Sequence, residues 1–149
     1  MNKKIRLIFI VVFFLVSCHQ NTKKIEKKHF SKAIEQISVD TQYKWIVVLP
    51  GMGCNGCILE AEFFMKNHIE DRRILFVLTR LSSLKIFQQK TGISIDEHPN
   101  IFVDRNNLFS IPTNNSFYPC VILLNNGKHS SHSFQDPSNA AFRNLEENL

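Results

Sequence analysis

The stretch LPGMGCNGCILEAEFF, residues 49–64, decides how this chain is read. It begins as the tail of an apolar run, Trp45-Ile46-Val47-Val48-Leu49, and turns at Pro50 and Gly51. A continuous apolar run of this kind predicts a strand buried on both faces, as in a parallel sheet. Residues 57–69 carry neither Gly nor Pro and predict a helix. Cys54 and Cys57 therefore stand at a strand-to-helix junction. Three readings are open there: a redox pair, a metal clip, or two incidental thiols.

The neighbouring segments extend the pattern. Phe30, Ala33, Ile34 and Ile37 fall at helical spacing within residues 29–38, which predicts a first helix. Arg73–Leu78 predicts a second buried strand. Residues 81–90 predict a helix closed by Gly92, and Ile101–Val103 a short strand followed by a polar loop. Pro119 leads into another buried strand, Cys120–Leu124. Asn126-Gly127 is a hairpin signal, with the second arm over residues 128–134. Asp136 and Pro137 suit an N-cap and first turn, and Ala141, Leu145 and Leu149 give a closing helix its apolar face. Strands alternating with helices predict α/β layers. The hairpin makes the central sheet mixed.

Several side chains have plain structural readings. The phenylalanines at 63, 64, 76, 87 and 102 are expected in the core. Asp96, Glu97, Asp104 and Arg105 are expected on loop surface. His129 and His132 are expected to be solvated on an edge arm, and His68 to complement a helix C-terminus. A zinc site needs about four ligands, and the chain has no second CxxC.

The 149 residues suit one domain, and 44% hydrophobic content excludes wholesale disorder. The net charge of +5 invites a nucleic-acid reading, but Lys3, Lys4 and Arg6 supply much of it. Without residues 1–17, which contain those three bases and no acid, the charge is +2. No basic stripe is present, so no nucleic-acid partner is expected.

Residues 1–18 read MNKKIRLIFIVVFFLVSC. A basic head precedes the apolar run Leu7–Val16, which is too short for the roughly 20 residues that span a bilayer. Leu15-Val16-Ser17-Cys18 resembles the bacterial lipobox. That resemblance implies a signal peptide over 1–17, lipidation at Cys18, and a membrane-anchored domain outside the cytoplasm, in the cell envelope and periplasmic. An uncleaved N-terminal anchor is the alternative. Residues 18–28, polar and charged, are expected to form a solvated tether before a domain at 29–149.

The four cysteines are Cys18, Cys54, Cys57 and Cys120. With Cys18 lipidated, three thiols remain and cannot all pair. The simplest partition joins Cys54 to Cys57 and leaves Cys120 single. A bridge over two intervening residues closes a tiny loop and constrains the unfolded chain little, so chemistry is a better reason for it than stability.

Taken together, residues 40–149 resemble the thioredoxin-like superfamily. The resemblance rests on a buried strand entering Cys54-Asn55-Gly56-Cys57 at a helix start, on Pro119 ahead of a buried strand, and on the Asn126-Gly127 hairpin before a terminal helix. The tether and the insert near 93–118 are closer to the envelope-facing branch of that superfamily. Ile111-Pro112-Thr113 also carries an Ile-Pro-Thr found at the family's cis-proline, but the strand after Pro119 makes Pro119 the match. The sequence departs from the family at Gly53, where thioredoxins usually have Trp, in its Asn-Gly middle pair, and at Val48, where thioredoxin has a buried acid.

The resemblance implies a three-layer fold with a mixed central sheet flanked by helices. It implies a thiol–disulfide oxidoreductase that needs no cofactor, acts on protein thiols or disulfides, and is recharged by a redox partner. Cys54 would be the attacking thiol at the helix N-terminus and Cys57 the buried resolving thiol. A cis-Pro119 would present the backbone of Tyr118 to substrate. Cys120 beside it is a candidate third thiol or copper ligand. Two other readings of the same fold are a soft-metal module through Cys54, Cys57 and Cys120, and a scaffold lipoprotein with an inert disulfide.

Overall fold

The computed structural model describes residues 21–149. The signal peptide, Cys18 and the first part of the expected tether lie outside the described residues. The two apolar runs form neighbouring parallel strands, β1 (Trp45–Pro50) and β2 (Ile74–Thr79), and every residue of both is buried. β3 (Ile101–Asp104) pairs parallel with β2. β4 (Cys120–Asn125) pairs antiparallel with β1, and β5 (Lys128–Phe134) antiparallel with β4. The mixed five-stranded sheet runs β3-β2-β1-β4-β5.

Alternation along the strands divides the core in two. Val47, Leu49, Phe76 and Leu78 face a helical layer of α2 (Asn55–His68), α3 (Leu84–Thr91) and α4 (Ala141–Glu146), packing on Phe64, Met65, Phe87 and Phe142. Ile46, Val48, Val77, Cys120 and Ile122 face the other way. They are covered by Phe30, Ala33 and Ile34 of the first helix, α1 (residues 21–36), and by Phe109 and Ile111 of the connection between β3 and β4. The β1-α2-β2 and β2-α3-β3 crossovers step in the same direction across the sheet. Crossovers of one hand then place α2 and α3 on the same face.

Boundaries follow local chemistry. α3 starts at Leu84 rather than 81 because the Ser83 side chain accepts the Ile86 N–H. Gly92, at φ 72°, ends it. Asn126 and Gly127 both have positive φ, as a two-residue hairpin turn requires.

Five expectations are corrected. Residues 21–28 are not a solvated tether; they are helical, and Glu26 is buried. Glu26, Phe30, Ala33 and Ile34 share one helix face, and its polar member was indistinguishable from the charges around it. Asp136 does not cap the last helix. It closes a turn by accepting from the Ser138 N–H at 2.8 Å, and α4 begins at Ala141, where Gln135 Oε1 accepts the Phe142 N–H at 3.1 Å. Asp104 is 3% exposed and accepts from Thr79 Oγ1, Leu108 N–H and Phe109 N–H, all within 2.9 Å. Phe63 is 67% exposed, although its neighbour Phe64 is buried. His132 is nearly buried and His129 half-buried, so neither is a freely solvated edge residue.

Candidate functional site

The cysteines lie past the C-terminal end of β1, the edge at which α/β sheets present their sites. Reaching that position needs an unusual backbone. A Cβ on Gly51 would come within 2.5 Å of the Arg80 carbonyl oxygen. Gly53 adopts φ 152°, and a Cβ there would collide with the Phe117 carbonyl. These two glycines let the chain pass close to the Arg80 and Phe117 backbones. Gly56 is different, because a Cβ there meets nothing within 4 Å.

Cys54 is the N-cap of α2. Its backbone is extended, its N–H donates to Phe117 O at 3.0 Å, and its sulfur accepts the Cys57 N–H at 3.4 Å. Cys54 and Cys57 are joined in a disulfide with a Cα–Cα distance of 5.3 Å. Cys54 is half-exposed, and Cys57, one turn into the helix, is 5% exposed. On reduction, a Cys54 thiolate would face the unpaired N–H groups of a helix N-terminus, a position that favours negative charge.

From the disulfide an open groove of about 850 Å³ runs between α2 and the segment that leads into α4. Leu59 and Phe63 line one wall, at 54% and 67% exposed, with Pro137 and Phe142 opposite. Glu60 is held across the groove by the buried Gln135 amide, whose other end caps α4. Met52 and Phe117, both exposed, flank the cysteine turn. Apolar side chains on a surface are ordinary singly; here several gather along one groove.

The other candidate residues separate from this site. The Tyr118–Pro119 bond is trans, as are all peptide bonds among the described residues, so the expected cis-proline at 119 is corrected. Tyr118 leaves the preceding turn with extended backbone, φ −108° and ψ 142°, as a residue before proline prefers. The Pro119 carbonyl is already taken by the Gln135 N–H at 2.8 Å, and neither residue lines the groove. The residue that touches the cysteine turn is Phe117, which sequence reasoning passed over. The only hint was its place two residues before the marked proline. Cys120 packs with Val48, Ile122 and Phe30 on the sheet face turned away from α2. Burial, reinforced by the Glu26 carboxylate, pushes its thiol well above the usual cysteine range. Among the described residues, no three or more His, Cys, Asp or Glu side chains gather as a metal site. His68, in the last turn of α2, meets the Glu146 carboxylate of α4 at 3.3 Å. Among the same residues no helix is long and apolar enough to cross a membrane.

Comparison with protein-family models, with curated proteins and with solved structures gave no match to this chain.

Proposed function

We propose that the chain is a thioredoxin-like thiol–disulfide oxidoreductase, anchored outside the cytoplasm through a lipidated Cys18, that acts on protein substrates. One observation carries the reading. A half-exposed Cys54 caps a helix and is bonded to a buried Cys57 at the mouth of an open apolar groove. A structural clip needs neither the groove nor the graded exposure.

The chemistry follows from that gradient. In the reduced protein the Cys54 thiolate attacks a substrate disulfide. A mixed disulfide forms and the substrate's other sulfur leaves as a thiolate. Cys57 then loses its proton and attacks Cys54 Sγ, releasing the second substrate thiol and closing the Cys54–Cys57 bond. Two electrons have moved to the substrate, and a thiol-bearing partner must return them. Run backwards, the same steps oxidise a substrate dithiol. Leu59 and Phe63 provide area for an extended apolar segment beside the reacting sulfur.

The test is a redox titration of the full chain against thiol buffers, read by alkylation and mass spectrometry. Reversible cycling of Cys54–Cys57 at a defined potential is expected, with Cys54→Ala abolishing exchange. A pair that never cycles, or an exchange activity that survives Cys54→Ala, overturns the reading.

A further inference from the structure

A buried carboxylate on the far side of the sheet is tied to the cysteine turn by a short chain of hydrogen bonds. Glu26 of α1 is 1% exposed. Its Oε1 accepts from Thr113 Oγ1 at 2.8 Å and from Asn115 Nδ2 at 2.8 Å, and its Oε2 meets His132 Nε2 at 3.1 Å. Burying a carboxylate is costly, and an apolar contact would attach α1 to the sheet as well. What the carboxylate does that an apolar residue does not is hold the two polar side chains of one turn.

That turn is the 3-10 segment Asn114–Phe117. Thr113 stands at its N-cap, makes no side-chain cap bond there, and donates its hydroxyl proton to Glu26 instead. The Ser116 N–H donates to Thr113 O and the Tyr118 N–H to Asn115 O, both at 3.0 Å, so the turn is internally braced. Arg80 Nη1 reaches Ser116 O at 3.4 Å. At the turn's far end the Phe117 carbonyl accepts the Cys54 N–H. The same residue, held there by its backbone, turns its sulfur to the Cys57 N–H at 3.4 Å. The absence of a side chain at Gly53 is what admits the Phe117 carbonyl here, since a Cβ would collide with it.

We propose that Glu26 is a positioning residue for the Cys54–Cys57 site: it clasps the 113–117 turn through Thr113 and Asn115, and the turn's Phe117 carbonyl holds Cys54 in the geometry that favours its thiolate. The inference rests on the oxidoreductase reading of Cys54. It gives α1, which lies nearest the membrane end of the chain in that reading, a connection to the reactive sulfur.

The test reads Cys54 itself. In the reduced protein, the rate of Cys54 alkylation by iodoacetamide is measured against pH for the native chain, for Asn115→Ala, and for Thr113→Val with Asn115→Ala. The double variant is expected to shift the alkylation midpoint to higher pH and to slow alkylation at pH 7 about fivefold, with Asn115→Ala in between. Glu26→Ala is expected to match the double variant. Glu26→Gln, which keeps an acceptor for both loop donors, is expected to restore most of the native profile. A native Cys54 profile in the double variant overturns the clasp, even if its melting temperature falls, because a merely structural bond lowers stability without moving the sulfur's titration. Failure of the oxidoreductase reading shows separately, as a native pair that does not cycle in the redox titration.

Discussion

The two faces of the sheet each hold a cysteine at the end of a strand, and they treat it in opposite ways. On the α2 face, Cys54 follows β1, caps a helix and opens on a groove. On the α1 face, Cys120 starts β4, is sealed under Phe30, and lies within the field of a carboxylate. Helix N–H groups stabilise a thiolate, whereas burial and negative charge suppress one. Cysteine identity alone therefore says little. The groups a sulfur faces decide whether it reacts.

The sharpest way to break this comparison is to reduce the protein and alkylate it at pH 7. Cys54 is expected to react about a thousandfold faster than Cys120, which is exposed only when the structure opens. Equal rates would mean the two environments are not what the structure shows. The next largest effect is expected on the α1 face. Glu26→Ala strands the His132 imidazole and two loop donors in a buried site, and a loss of about 3 kcal/mol is expected by chemical denaturation.

The same face is expected to respond to pH. His129 meets the Nδ1 of His132 through its own Nε2, and its remaining ring nitrogen is buried without a partner. Burial, then the adjacent His132 and Lys27, lower its pKa from 6.5 to about 4. The unfolded chain takes up that proton near 6.5 and the folded chain only near 4, so between those values the unfolded state binds more protons. Stability is therefore complete above about pH 6.5, falls as pH drops, and levels near 4. Because the ring is half-exposed the loss is expected to be about 1–2 kcal/mol. Asp71 and Asp136 are held below 3.8 by hydrogen bonds from Arg73 and Ser138, so their contributions are lost only at lower pH. His129→Gln is expected to flatten the denaturation midpoint across pH 4–6.5; an unchanged slope would assign the dependence elsewhere.

Much of the scaffold was legible from the sequence because apolar patterning is strong where burial is two-sided. β1, β2, β4 and the 126–127 turn lie where residues 45–49, 73–78, 120–124 and Asn126-Gly127 put them. The graded exposure of Cys54 and Cys57 likewise follows from a strand meeting a helix. Buried polar groups were harder to read. Glu26 and Asp104 look like ordinary surface acids in the chain: a side-chain partner of each comes from far off, 87 residues for Glu26 and 25 for Asp104, and the nearer partners of Asp104 are backbone N–H groups that carry no sequence signal. Phe63 and Phe64 are adjacent and chemically alike, and only the packing of α4 against one side of α2 separates the buried ring from the exposed one. Phe117 carried no pattern, because its role is played by a backbone carbonyl.

Phe63 also gives the smallest expected effect and the most selective one. Its ring is exposed, so Phe63→Ser removes little buried area, and stability is expected to stay within about 0.5 kcal/mol. One position on in the same helix, Phe64→Ala opens a cavity between α2 and α4 and is expected to cost about 3–4 kcal/mol. If the groove receives an apolar substrate segment, Phe63→Ser lowers exchange with a disulfide-bearing protein about fivefold, the equivalent of about 1 kcal/mol of lost contact. Exchange with a small disulfide such as oxidised glutathione is left unchanged, because that molecule does not extend along α2. The ratio of the two rates is the informative quantity. If both fall together, Phe63 acts on the cysteines themselves; if neither falls, the exposed wall of the groove is not where substrate lies.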